Sequence, residues 1–225
     1  MHPMKLQKFE QSGFILETET GYRIAFDIGN KTSLDTLAGI APVDLCIVSH
    51  IHGDHFAPEN IIKLSPEKIL LPRDCRDALE ELKLVGQVAM YYKMAIPAVY
   101  VITHGGFVFD NDQVKITFFD VDHGPNCTVK IENTGFLIEA DGQTIYFAGD
   151  MYYPSGMDVS DLSVDYALLP VGGHYTFGPQ EALDHAKSFK HIGKIIPMHY
   201  EKNNFIDPSQ HDVFVKLSEG VFNLE

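Results

Sequence analysis

The sequence predicts a mixed α/β fold in which sheets pack in layers with helices outside them. Three observations carry that expectation. Strand-like runs come in series, with helices interleaved late in the chain. The 225 residues are 45% hydrophobic and 21% charged, so there is apolar surface enough for a core and no signature of disorder. No linker-like stretch or internal repeat interrupts the pattern, so residues 1–225 are expected to form a single domain.

The elements follow in order. Gly13 to Glu17 and Tyr22 to Phe26 flank a polar stretch and read as a hairpin. Asp44 to Val48 is a nearly continuous apolar run, as a buried strand requires, and Lys68 to Leu71 is a second. Asp74 reads as a helix N-cap, with Cys75, Ala78, Leu79 and Leu82 at helical spacing and Gly86 past the end. Strands are expected at Val99–Thr103, Val114–Val121, Thr134–Glu139 and Gln143–Ala148, the last two joined by the two-residue turn Asp141-Gly142. A strand at Tyr166–Val171, a helix at Pro179–Lys190, a strand at Lys194–Met198 and a helix at Asp207–Leu217 complete the chain. Both late helices have Pro at or near the first turn, and Asp207 is the cap of the second.

Charge and composition exclude several roles. Seventeen Lys and Arg stand against 31 Asp and Glu, a net charge of −14, and the only arginines are Arg23, Arg73 and Arg76. Long nucleic acids are poor partners for such a surface. Cys46, Cys75 and Cys127 are widely spaced and form no CxxC, which points to a reducing, cytoplasmic setting. The start of the chain leads into polar sequence without an apolar signal core, and no apolar run is long enough to span a membrane.

The chemistry concentrates after the strand that ends at Val48, in Ser49-His50-Ile51-His52-Gly53-Asp54-His55. His50 and His52 share a direction if strand geometry persists, and Gly53 allows a sharp turn that aims Asp54 and His55 at a second point. Imidazole and carboxylate suit zinc, iron or manganese, and two such clusters suit a two-metal site. The pattern of strand-end donors recurs at Asp122-His123-Gly124, Gly149-Asp150 and Pro197-Met198-His199. Together these supply five histidines and two aspartates, the inventory for two cations sharing a bridging carboxylate.

With these motifs the sequence resembles the metallo-β-lactamase superfamily, whose members carry H-x-H-x-D-H followed by a His, an Asp and a final His. The resemblance runs from the early hairpin ending at Asp27 to His199. Leu169 to Pro179 is similar to a stretch found in the small metal-dependent hydrolases related to ascorbate-6-phosphate lactonase. The resemblance implies a four-layer αββα sandwich with the metals at one edge. It implies that His50, His52 and His123 hold one metal, that Asp54, His55 and His199 hold the other, and that Asp150 bridges them. Asp27 matches the aspartate that braces the metal loop in the family. Relatives in this group suggest a homo-oligomer.

Such a site would carry a small net positive charge within a protein of net charge −14. Coordination lowers the pKa of water from about 15.7 toward 7, so a hydroxide is available at neutral pH, with Asp54 placed to orient it. The expected function is hydrolysis of a small ester, lactone, amide or phosphoester by two divalent metals, zinc first, with manganese or iron as alternatives. A phosphodiesterase of small substrates and an iron-dependent oxidoreductase are the competing readings. Flavin-coupled di-iron relatives carry an added domain and a Glu where His52 stands, so this chain departs from their pattern.

His174, in a Gly-Gly-His turn before the Pro179 helix, reads either as a proton donor or substrate-binding group or as a loop histidine. His104 reads as surface, His185 as packing, and His2, His191 and His211 as solvated. Tyr91-Tyr92 and Tyr152-Tyr153 read as pocket lining or as core and rim, and no cysteine falls on a ligand position.

Overall fold

The computed structural model describes residues 3–40, 42–84, 89–95, 99–201 and 206–219. They fall into two compact units, Met1–Thr103 and His104–Glu225, each built on one six-stranded sheet.

In the first unit, β1 (Lys5–Lys8), β2 (Phe14–Glu17), β3 (Arg23–Phe26), β4 (Leu45–Ile47), β5 (Lys68–Leu71) and β6 (Tyr100–Ile102) lie side by side in chain order. The first three form an antiparallel meander, with Phe14 opposite Phe26. From β3 onward the pairing is parallel, with Phe26 beside Ile47 and Ile47 beside Leu70. Parallel neighbours need crossovers. Helix α1 (Pro58–Leu64) returns the chain from β4 to β5, and α2 (Arg73–Leu82) and α3 (Ala89–Ala95) lie between β5 and β6. The period-two alternation of a strand puts Cys46 and Val48 on one face with Ile69 and Leu71, packed against Ile61 of α1 and Cys75 and Leu79 of α2.

The second unit orders its strands β12-β11-β10-β9-β8-β7. β7 (Val108–Asp110), β8 (Lys115–Asp120), β9 (Thr134–Ala140) and β10 (Gln143–Phe147) form a meander, and β10, β11 (Ser163–Pro170) and β12 (His191–Met198) are parallel. The hairpin turn Asp141-Gly142 has φ of 51° and 75°, the positive pair that the right-handed twist of a two-residue hairpin demands. Helix α4 (Pro179–Ala186) starts at the proline after Gly178 and is one turn shorter than the pattern suggests. Asp207 accepts from the Ser209 N–H at 2.8 Å, but the turn it caps is 3₁₀ (Pro208–Gln210), and α5 (His211–Glu219) follows it.

The departures from expectation have physical causes. Pro72, not Asp74, occupies the cap of α2; Asp74 lies in the first turn and accepts from the Cys75 N–H at 2.7 Å. Gly86, expected to end that helix, lies outside the described residues. β1, β7, α1 and α3 are additional elements of three to seven residues, too short for a periodicity to register. His191 opens β12 and is exposed.

His185 is buried among Tyr146, Phe177 and Phe189, with Nε2 3.2 Å from the Tyr146 hydroxyl. Burial pulls its pKa from 6.5 down to about 4. Between those values the unfolded chain binds a proton that the folded one does not. Stability is therefore full above pH 6.5 and falls as the pH drops toward 4, by about 3 kcal/mol at about 1.4 kcal/mol per pKa unit. Denaturant unfolding from pH 7.5 to 4.5 should show the wild type losing more stability than His185→Phe; parallel curves would contradict a neutral buried imidazole.

Candidate metal centre

In the first unit the donors grow out of two adjacent parallel strands that end at the same sheet edge, the place where open α/β sheets bind ligands. β3 ends into Asp27 and β4 into Ser49 and His50. Asp27 is fully buried, takes a left-handed backbone (φ 50°), and donates its N–H to the Ile47 carbonyl at 3.1 Å. Its Oδ1 accepts from the Ser49 N–H at 2.7 Å. Its Oδ2 accepts from the Ser49 hydroxyl at 2.5 Å and from His55 Nδ1 at 2.7 Å.

These bonds fix two tautomers. An ionised carboxylate only accepts, so His55 carries its proton on Nδ1. Ser49 has one hydroxyl proton, given to Asp27, so at 2.9 Å its oxygen accepts from His50 Nδ1. Both rings thereby present the Nε2 lone pair as their ligating position. His50 Nε2 lies 3.1 Å from His52 Nδ1, and Asp54 Oδ2 lies 4.0 Å from His55 Nε2. Asp27, His50 and His55 have donor atoms within 4.8 Å of one another. Both oxygens of Asp27 are already taken up by hydrogen bonds, so it serves the unit as a brace.

The loop that carries Asp54 is pressed onto Gly29, where a Cβ would meet the Asp54 carbonyl carbon at 2.0 Å. Only glycine fits there. The Asn30 N–H donates to the Gly53 carbonyl at 2.7 Å, and Asn60 of α1 holds the same strip through the carbonyls of Gly29 and Thr32 at 2.7 and 3.0 Å. Ser49 and Asn60 are roles that the sequence reading missed. A polar residue beside an apolar helix stripe was the available signal for Asn60.

In the second unit, β8, β10 and β12 all point the same way, and each ends in a donor: His123, Asp150 and His199. Asp150 Oδ2 lies 3.3 Å from His123 Nε2 and 3.1 Å from His199 Nε2, with all three residues buried. His199 takes a left-handed backbone (φ 58°), and Asn133 Nδ2 holds the Asp150 carbonyl at 3.1 Å. His174 follows β11 in an exposed turn with φ 33°, a strained value for a non-glycine residue. Its carbonyl accepts from Asn126 Nδ2, and its ring makes no hydrogen bond among the described residues.

The remaining candidates fall elsewhere. His104 is exposed and bonds to the Gly105 carbonyl at 2.8 Å. His211 is exposed at the start of α5, and His2 lies outside the described residues. Tyr92 is buried with its hydroxyl on Glu59 at 2.8 Å. Burial, with the Asp27 charge adding to it, pushes the Cys46 thiol up to about 12, so no thiolate is available there.

Imidazole nitrogens of fixed tautomer together with buried carboxylates fit a borderline divalent cation such as zinc, manganese or iron. That donor chemistry, on two mixed sheets, defines a metal-binding class of protein. A family model described as the beta-lactamase superfamily domain matches residues 5–199. A UPF0173 metal-dependent hydrolase of Pyrococcus abyssi is 32% identical over 181 residues, covering 78% of this chain and 74% of the relative. One from Anoxybacillus flavithermus is 29% identical over 233 residues, covering 97% and 95%. The solved structure of Igni18, a metallo hydrolase of Ignicoccus hospitalis, matches in fold with a TM-score of 0.71 at 24% identity, covering 95% of this chain and 90% of that one. The chain belongs to the beta-lactamase superfamily, among its metal-dependent hydrolases with the metallo-β-lactamase fold.

Replacing Asp27 with Asn substitutes an amide for one acceptor and releases the tautomers of His50 and His55. Zinc affinity, measured by competition with a chromophoric chelator, should fall about 10–100-fold while far-UV circular dichroism is unchanged. Undiminished affinity would show that the brace is dispensable.

Proposed function

We propose that the two donor sets serve one binuclear centre. His50, His52 and His123 would hold one divalent metal, Asp54, His55 and His199 would hold the other, and Asp150 would be shared by both. The observation that supports this most directly is the approach of His123 and His199, assigned to different metals, to the same Asp150 oxygen at 3.3 and 3.1 Å. Zinc is the expected metal, with manganese or iron accepted by the same donors. The two units act in this reading as one domain, residues 1–225, in a cytoplasmic homo-oligomer.

When bound, the metals polarise the substrate's oxygen and bring a water's pKa from about 15.7 toward 7. The chain's own residues supply the rest. Asp54 would be both ligand and hydrogen-bond acceptor for the attacking water. The Asp27 brace keeps His50 and His55 from rotating as charge develops. His174 protonates or holds the departing oxygen. The reaction is hydrolysis of a small ester, lactone, amide or phosphoester.

Elemental analysis after reconstitution should give two metals per chain, and one or none would contradict the binuclear centre. Asp54→Ala should lose about 10²-fold or more in turnover with its fold intact, because the water loses its orienting acceptor. His174→Ala should keep its metals and lose about 10²–10⁴-fold in kcat. Loss of metal together with the imidazole would make His174 a ligand, and unchanged turnover would make it a loop residue.

A further inference from the structure

The second unit contains a cavity of about 550 Å³ in which the hydrolytic reading uses only His174. Tyr152, Tyr153 and Phe177 give it aromatic walls, exposed His174 also lines it, and Glu181 and Asp184 of α4 contribute the only charged side chains that line it among the described residues. No Lys or Arg lines it. Asp184 is already engaged, accepting from Lys187 and Gln180 at 3.1 Å each. Glu181 is exposed and has no hydrogen-bond or ion-pair partner among the described residues. At the inner wall, buried His185 has an Nδ1 without a hydrogen-bond partner among the described residues.

The aromatic wall is tied to the donor residues of its own unit. Tyr152 is two residues past Asp150, and its N–H donates to the Asp122 carbonyl, beside His123, at 2.8 Å. Its ring lies against Gly124, where a Cβ would come within 2.3 Å of the ring. The Phe177 N–H holds the Met151 carbonyl at 2.8 Å. Aromatic surface thus begins two residues past Asp150, and the cavity it lines also holds a carboxylate without a counter-ion.

We propose that this cavity binds the non-reacting part of the substrate, and that it takes an apolar or aromatic body ending in a cationic amine. This rests on the proposed placement of the metals at His123, Asp150 and His199. The tyrosine faces attract an ammonium group through their quadrupole, and Glu181 supplies the opposite charge. A distal carboxylate or phosphate meets the unpaired Glu181 and no lining cation, so substrates with an anionic tail are rejected.

The test separates this proposal from the hydrolase reading by measuring binding as well as turnover. Tyramine and 3-(4-hydroxyphenyl)propanoate are matched probes that differ in the distal charge; their binding to the metal-loaded protein is followed by ligand-observed NMR. Their O-acetyl esters are the matched substrates. Tyramine should bind about 10-fold tighter, as roughly one cation–π contact and one exposed ion pair would give. The acetyl esters should show the same order in kcat/KM. Glu181→Lys should abolish or reverse the preference with metal content unchanged, and Tyr152→Ala should weaken tyramine. If neither ester is hydrolysed while tyramine still binds selectively, aryl acetates are excluded as substrates of the hydrolytic site and the cavity assignment stands. Equal binding, preference for the propanoate, no binding of either probe, or a preference untouched by Glu181→Lys would each overturn the proposal.

Discussion

One buried carboxylate organises the first donor set. Asp27 accepts three hydrogen bonds, two from Ser49 and one from His55, and through the Ser49 hydroxyl it reaches His50 as well. A carboxylate excluded from solvent needs such partners, because a buried charge without them is strongly unfavourable. The same bonds that satisfy Asp27 decide which nitrogen of each imidazole faces outward. Completing this sheet edge with Asp27 in place therefore also sets both rings.

Topology makes this possible. β3 and β4 run parallel, so Asp27 and Ser49 finish side by side although 22 residues separate them. In the second unit three strands of common direction deliver His123, Asp150 and His199 to one edge. Rigid strands hold the donors, and turns with positive φ at Asp27 and His199 redirect the chain immediately after them. Loops pinned by glycine contacts and by Asn60 then fix the Asp54 segment with backbone-to-backbone precision.

The parts legible in the sequence were those coded locally. His50, His52, Asp54 and His55 are adjacent in the chain, and the strands that precede each donor are apolar runs of ordinary length. The Asp141-Gly142 hairpin needed only its two residues to be read. What escaped was either short or non-local. β1 alternates between exposed and half-buried positions on an edge, and α1 buries only one side of seven residues. The Asp27 brace depends on partners 22 and 28 residues away, so only a family resemblance suggested it, and nothing in the spacing identified Ser49 as the relay. Asp74 was misread as a cap because the true cap position is a proline, which fixes an extended backbone without a side-chain hydrogen bond.

The central claim is that Asp27 sets the tautomers of His50 and His55, and nitrogen NMR reads tautomers directly. Long-range ¹⁵N–¹H correlation spectra of the metal-free protein, with His50 and His55 assigned by substitution, should show each neutral ring carrying its proton on Nδ1 rather than Nε2. Protonation at Nε2 of either neutral ring, or rapid exchange between the two forms, would contradict the account.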